Sequence, residues 1–276
     1  MRSDGISYTY TNEIMHGLAL IKAQQLDTEL VGLAVWDGQP GDGAGGTAAT
    51  VAGWREAAMP VHVVDLGPET IGSVNAPTLL PVATVDAIPT TPSPVGSDDN
   101  PIVAMLFADA VGFSTLTETQ VPLFVRHCLG PIGELVATAY RDSIVVRNTW
   151  GDGLYVVFTT VLEAGRFALD LADLMAATDW LRLGLPADLT MRIALHAGPV
   201  FRCVDPVTGQ LACTGTHVSR AARLEPRTPP GAVYASESFA AMAAVARVDS
   251  FTCDYVKQLS WAKHYGTFPT YVVRRA

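Results

Sequence analysis

Residues Ile102 to Phe113 read IVAMLFADAVGF. The run from Ile102 to Phe107 is apolar without a break, which marks a strand covered on both faces in the middle of a sheet. Asp109 ends that run, and Gly112 opens a turn. A carboxylate at a strand end, followed by a glycine turn, can hold a metal ion while the turn amides face phosphate oxygens. Taken alone, an Asp that caps a helix explains the pattern as well.

The chain beyond it alternates between helical and strand-like spacing. Thr117 to Tyr140 reads as a helix, with Leu123, Phe124 and Leu135 among its apolar residues. Ile144 to Arg147 and Leu154 to Phe158 read as strands joined through Trp150-Gly151-Asp152-Gly153. Asp-Gly between two apolar runs is a hairpin signal. Leu162 to Ala177 is a second helix. Strands begin at Leu189 to Leu195 and Cys203 to Asp205, His217 to Leu224 has helical spacing, and Val233 to Ala235 and Tyr271 to Val273 are late strands. From residue 101 on, the order is β-α-β-β-α-β with additions, an α+β fold of the ferredoxin-like split βαβ type. In such a sheet the first strand and the following hairpin are neighbours. Asp109 and Asp152 then converge, as a two-metal phosphoryl-transfer site requires.

Toward the N-terminus, residues 68–100 are rich in Pro, Thr, Ser and Ala and lack periodicity, as a linker does. Residues 1–67 read as a small α/β segment. A helix over 11–27 carries Ile14, Leu18 and Ile21, a strand runs from Leu30 to Trp36, a helix from Ala48 to Ala58, and a strand from Val61 to Leu66. This segment reads as a regulatory sensor, a dimer brace or the remnant of a larger α/β domain. Gly41 to Gly46 spells GxGxxG, but it follows the strand end at Trp36 by several residues. It therefore reads as a surface loop, since phosphate binding needs the first glycine where the strand stops.

The chain has 276 residues, 49% of them apolar and 16% charged, with a formal net charge of −9. That supports an ordinary folded core and excludes a disordered chain. It also argues against nucleic acid or an anionic membrane as partner, since neither suits an acidic surface. No apolar run approaches the ~20 residues of a membrane span, and no signal peptide is evident, so a cytoplasmic protein is expected. Cys128, Cys203, Cys213 and Cys253 lack metal-site spacing and read as reduced thiols.

Arg220 and Arg223 share a helix face, with Ser219 beside them; the plain reading is a solvated face paired with Glu225. His196, at a strand end before Gly198-Pro199, reads as a hydrogen-bonded structural residue.

Four ordered segments together resemble the class III nucleotidyl (adenylate and guanylate) cyclases. They are Phe107 to Ser114, Thr149 to Leu154, Arg192 to Val200, and Val218 to Glu225. Pro229-Pro230-Gly231 and Ala235-Ser236-Glu237 also fit, and residues 1–100 are not covered. The resemblance implies a homodimer with each site built across the interface. It assigns Asp109 and Asp152, helped by the Ala110 carbonyl, as ligands of two divalent ions, Mn2+ or Mg2+. It places Phe107, Gly112 and Phe113 around the nucleotide and brings Arg223 from the partner chain to the α-phosphate. Ser219 stands where the family usually has a ribose-orienting Asn. The family's phosphate Lys aligns with Tyr265, and Lys263 is two residues earlier.

The base-reading positions hold Asn148 and Ala212, so neither purine reader of the family is present. An amide can donate and accept, which suits a pyrimidine edge. Trp150 to Gly153, Thr214 to Arg220 and Tyr265 to Tyr271 resemble the pyrimidine cyclases of the Pycsar antiphage systems. The resemblance implies conversion of UTP, or of CTP, to the 3′,5′-cyclic nucleotide, which activates a separate effector. The expected activity is uridylate cyclase. The alternatives are a cytidylate cyclase, an adenylate or guanylate cyclase, or a nucleotide-sensing module without chemistry.

Overall fold

The computed structural model describes residues 3–41, 43–65 and 100–276. The sequence-predicted linker lies almost wholly outside them. The N-terminal elements are α1 (Ser3–Gln25), β1 (Gly32–Trp36), α2 (Thr47–Glu56) and β2 (Val61–Asp65). β1 and β2 pair in parallel, with α2 as their crossover. Gly41 and Gly43 to Gly46 form the loop before α2, with Gly46 at its N-cap. α1 starts at Ser3, earlier than its apolar spacing indicates.

The rest of the chain runs β3 (Ile102–Ala110), α3 (Val121–Phe124), α4 (Gly130–Ala139), β4 (Ile144–Trp150), β5 (Gly153–Phe158), α5 (Val161–Ala177) and β6 (Met191–Pro199). It continues with β7 (Phe201–Val204), β8 (Leu211–Thr214), α6 (Thr216–Leu224), β9 (Val233–Ser236), α7 (Glu237–Val245), β10 (Phe251–Ser260) and β11 (Thr267–Arg275). Seven strands form one mostly antiparallel sheet in the order β10-β11-β9-β6-β3-β5-β4, and β7 and β8 form a separate hairpin. β3 is central and antiparallel to both neighbours.

The alternation of β3 feeds two cores. On one face Leu106, Ala108, Val156, Phe158 and Ile193 pack against Phe124, Phe167 and Phe239 from the helices. Truncating one such buried Phe costs about 3–5 kcal/mol. On the other face Met105, Tyr155 and Val157 meet Cys213 of the β7–β8 hairpin and Ala221 of α6. Leu224 of α6 packs on Ala194 and Trp261. With both faces covered, β3 reads as a near-continuous apolar run.

The helix expected over 117–140 is interrupted. α3 passes through a π-helical turn at Val125–Leu129 into α4, which has a proline at its start. Pro131 has no N–H to donate to the preceding turn, so the ladder must re-register there.

α1 lies along α7. A Cβ at Gly17 would stand 2.1 Å from the Ala241 carbonyl oxygen, so glycine is what lets the two backbones meet. Asn12 Nδ2 donates to the Gly45 carbonyl and to Thr50 Oγ1, each at 2.9 Å, tying α1 to α2. All four cysteines are free thiols. Among the described residues no helix is long and apolar enough to cross a membrane.

Candidate active site

Asp109 is the last acidic residue of β3, and the register sets it opposite Gly153 of β5 and Arg192 of β6. Asp152 occupies the turn just before Gly153, where Gly151 takes a left-handed φ of 67°. The two acidic groups expected to converge do so. Burial first, and then the negative charge of Asp109, push the Asp152 carboxyl upward from its ordinary value.

Arg192 joins them. Its Nη2 donates to Asp109 Oδ2 at 2.6 Å and its Nε to Glu225 Oε1 at 2.8 Å. Glu225, at the end of α6, therefore pairs with Arg192 of β6, which corrects the expected pairing with Arg220 or Arg223 on α6. Burial raises the Glu225 carboxyl, and Asp109 and Asp152 act in the same direction against Arg192. Three carboxyl groups thus face one guanidinium. Asp109 and Asp152 are the oxygen donors that would suit a hard divalent cation; among the described residues no group of three or more acidic, His or Cys side chains is placed to hold one.

β3 leads directly into the glycine turn expected to face phosphate. Gly112 takes a left-handed φ of 84°, where a side chain would be strained, and Phe113–Thr115 form a short 3-10 turn. The opening amides of such a turn have no partner inside it. Phe107 stacks on Tyr155 at 4.7 Å between ring centres, and Phe113 meets Phe124 edge-on at 4.9 Å. Trp150, largely exposed, lies parallel to Tyr155 at 6.2 Å.

α6 supplies the remaining candidates. Ala221 and Leu224 bury one side of the helix, Ser219 is exposed, and Arg223 is half-buried. Among the described residues Arg223 has no hydrogen bond or ion pair, in contrast to Arg192, which is paired with two acids. Lys263 lies in the β10–β11 connection with a left-handed φ of 57°. That connection packs near α6. Tyr265 stacks toward Trp261 beside it.

Asn148 is exposed on β4, and its Oδ1 accepts the Thr149 N–H at 2.9 Å. Its amide nitrogen has no hydrogen-bond partner among the described residues and can donate to a ligand. Ala212 lies on β8, which packs against β4, and the Tyr155 hydroxyl donates to the neighbouring Cys213 carbonyl at 3.2 Å. A cavity of about 380 Å³ borders β4 and takes in Asn148 and Thr149 but neither acidic residue.

His196 is buried, with hydrogen bonds to Ser236 and His217, as its structural reading requires. The sequence reading singled out neither Arg192 as a site residue nor His217.

Residues 95–274 match the model of the adenylate and guanylate cyclase catalytic domain. That span is more than half of the chain, so the protein belongs to the class III adenylate and guanylate cyclase family. Solved structures agree on the fold. The guanylate cyclase domain of RhGC from Catenaria anguillulae, in complex with GTP, is 19% identical with a TM-score of 0.54, over 64% of this chain and 97% of that one. The adenylyl cyclase CyaB from P. aeruginosa is 17% identical with a TM-score of 0.53, over 64% and 96%. Adenylate cyclases from Trypanosoma brucei in their monomeric state are 15% identical with a TM-score of 0.53, over 63% and 88%. No curated protein matches the chain.

Proposed function

We propose that the protein is a uridylate cyclase, converting UTP to 3′,5′-cyclic UMP and pyrophosphate. In this reading it works as a homodimer with each site shared between chains, and its product is a second messenger that drives a separate effector in antiphage defence. The chemistry rests on the acidic pair Asp109 and Asp152 beside the turn at Gly112, together with an Arg223 that has no partner among the described residues of its own chain.

Asp109, Asp152 and the Ala110 carbonyl would hold two divalent cations, Mn2+ or Mg2+, and bound there these would neutralise triphosphate charge and acidify the ribose 3′-hydroxyl. The 3′-oxygen attacks the α-phosphorus in line, the bond to the bridging oxygen breaks, and pyrophosphate departs. The 3′ proton leaves to water or through Asp109. Arg223 of the partner subunit spreads the charge that grows on the α-phosphate oxygens. Amides of the turn at Gly112 and Phe113 receive the terminal phosphates, with Phe107 beneath the nucleotide. Ser219 faces the ribose, and Lys263 supplies a cation to the leaving phosphates.

The base assignment rests on Asn148. With its carbonyl engaged by Thr149, the side chain offers a donor. A donor complements the O4 acceptor of uracil and mismatches the amino group of cytosine at the same position. The small side chain of Ala212 adds no competing polar group.

The deciding experiment incubates the protein with Mn2+ and equal ATP, GTP, CTP and UTP and identifies cyclic products by mass spectrometry. Cyclic UMP as the main product supports the assignment. Cyclic CMP overturns the base reading alone, and a cyclic purine overturns the pyrimidine reading.

A further inference from the structure

α6, which carries Arg223, is only nine residues long. Its C-terminal end is held by buried Leu224 and by the Glu225–Arg192 ion pair at 2.8 Å. Its N-terminal end has a different anchor. His217 Nδ1 lies 2.9 Å from His196 Nε2 on β6, and His196 Nδ1 lies 2.7 Å from Ser236 Oγ. Ser236 Oγ in turn accepts the Phe239 N–H and caps α7. The imidazole of His217 lies directly on the β6 backbone, where a Cβ at Gly198 would stand 2.2 Å from Nδ1.

That anchor is closed by a residue from far outside the catalytic domain. The Tyr10 ring of α1 meets His217 edge-on, with ring centres 5.1 Å apart and planes at 80°. The Tyr10 hydroxyl donates to the Ala197 carbonyl of β6 at 3.1 Å. α1 is itself pinned to α7 through the Gly17–Ala241 backbone contact. The family match begins at residue 95, so α1 is an addition to the catalytic domain rather than part of it. A helix this short, fixed at two ends, pivots if one end loosens, and Arg223 moves with it.

We propose that Tyr10 and His217 are positioning residues for Arg223, so that the N-terminal helix sets the turnover rate of the cyclase by seating α6 on β6. This rests on the reading that Arg223 completes the site of the partner chain. The acidic pair and the phosphate turn belong to β3 and the β4–β5 turn, which Tyr10 does not touch. The coupling therefore acts mainly on kcat, and its effect on KM for the nucleotide is limited to what Ser219, on the same helix, contributes at the ribose. A misplacement near 1 Å of a transition-state group costs up to about a hundredfold in rate.

Mixed dimers test this directly. Asp109→Asn and Arg223→Ala homodimers each lack one half of every site, while a dimer of one chain of each kind keeps one complete site. In that site Arg223 comes from the Asp109→Asn chain. Tyr10→Ala placed in the Asp109→Asn chain is expected to lower kcat about tenfold, with KM within twofold. Placed in the Arg223→Ala chain, it is expected to leave activity as it was. Tyr10→Phe, which keeps the ring, is expected to restore most of the rate, and His217→Gln repeats the chain dependence should Tyr10→Ala fail to fold. Equal loss from both placements, or no loss from the first, overturns the inference. If the mixed dimer without a Tyr10 change regains no activity, the shared-site reading itself falls and takes this inference with it.

Discussion

Asp109 and Arg192 are cross-strand partners in the middle of the sheet, and their side chains meet at 2.6 Å. The same guanidinium reaches Glu225 at 2.8 Å, so it links the acidic site on β3 to the end of the helix that carries Arg223. Two donors of one rigid fork aim at two acceptors, a geometry a lysine cannot copy. Arg192→Met leaves Glu225 without its cation. The cost is about 2–3 kcal/mol of stability for losing charged hydrogen bonds in a half-buried place. The expected outcome is a lower melting temperature and a kcat reduced at least about tenfold. Arg192→Lys is expected to recover stability more than rate. Thermal melts beside steady-state kinetics check both, and an Arg192→Met variant with wild-type kcat would remove the link.

In the proposed reading the acidic pair sets the metal dependence, with Asp109 and Asp152 as the cation ligands and the Arg192 guanidinium paired to Asp109 at 2.6 Å. Asp109→Ala and Asp152→Ala are each expected to reduce cyclic-nucleotide formation at least about a hundredfold. Mn2+ is expected to raise the melting temperature of the wild-type protein and to leave that of Asp109→Ala unmoved. A chelator is expected to stop the reaction, and added Mn2+ to restart it. Product formation by Asp109→Ala would refute the ligand assignment.

In the proposed reading Asn148 meets the base as a donor, its carbonyl already accepting the Thr149 N–H at 2.9 Å. Asn148→Asp keeps the shape and replaces that donor by an acceptor. The ratio of UTP to CTP turnover is expected to fall about tenfold, the worth of one exchanged hydrogen bond. Competition between the two substrates, read as cyclic products from one mixture, measures it. An unchanged ratio would place the base elsewhere.

What the sequence revealed, and what it hid, follows from how local each signal is. The apolar run from Ile102 to Phe107 and the turn around Asp152 are local patterns, so both carboxylates and their convergence were legible. Arg192 alternates with buried Met191 and Ile193, and nothing in such a strand tells a solvated arginine from one aimed at an acid. Only the β3–β6 register pairs it with Asp109. The spacing missed α7 because Phe239, Ala240, Ala241 and Ala243 are all buried, between the sheet and α1, which leaves little amphipathic contrast. β10 was missed as well, where a bulge between Tyr255 and Lys257 breaks the alternation. The contact of Tyr10 with Ala197 spans 187 positions and has no local signature at all.

The neutral histidine pair gives the fold an acid limit. Burial, with Arg220 and the facing ring adding to it, holds His196 well below its ordinary value; burial and Arg220 hold His217 down to about 4. Burial and Arg247 lower His16 as well. In the unfolded chain these rings titrate near the ordinary value of about 6.5. Below that pH the unfolded chain binds protons that the folded one refuses, so stability is complete above about 6.5 and is lost as pH falls toward the folded values. Each such group contributes a slope of at most about 1.4 kcal/mol per pH unit. The rings therefore pull the melting temperature down between pH 6.5 and 5, against the raised carboxyls of Asp152, Glu225, Glu13 and Glu237, which favour the folded state as pH falls. His217→Asn removes one of the three groups, so its melting temperature is expected to fall less steeply over the same window, even if it starts lower. Equal slopes for the wild type and His217→Asn over that window would mean that the His217 ring is not held neutral.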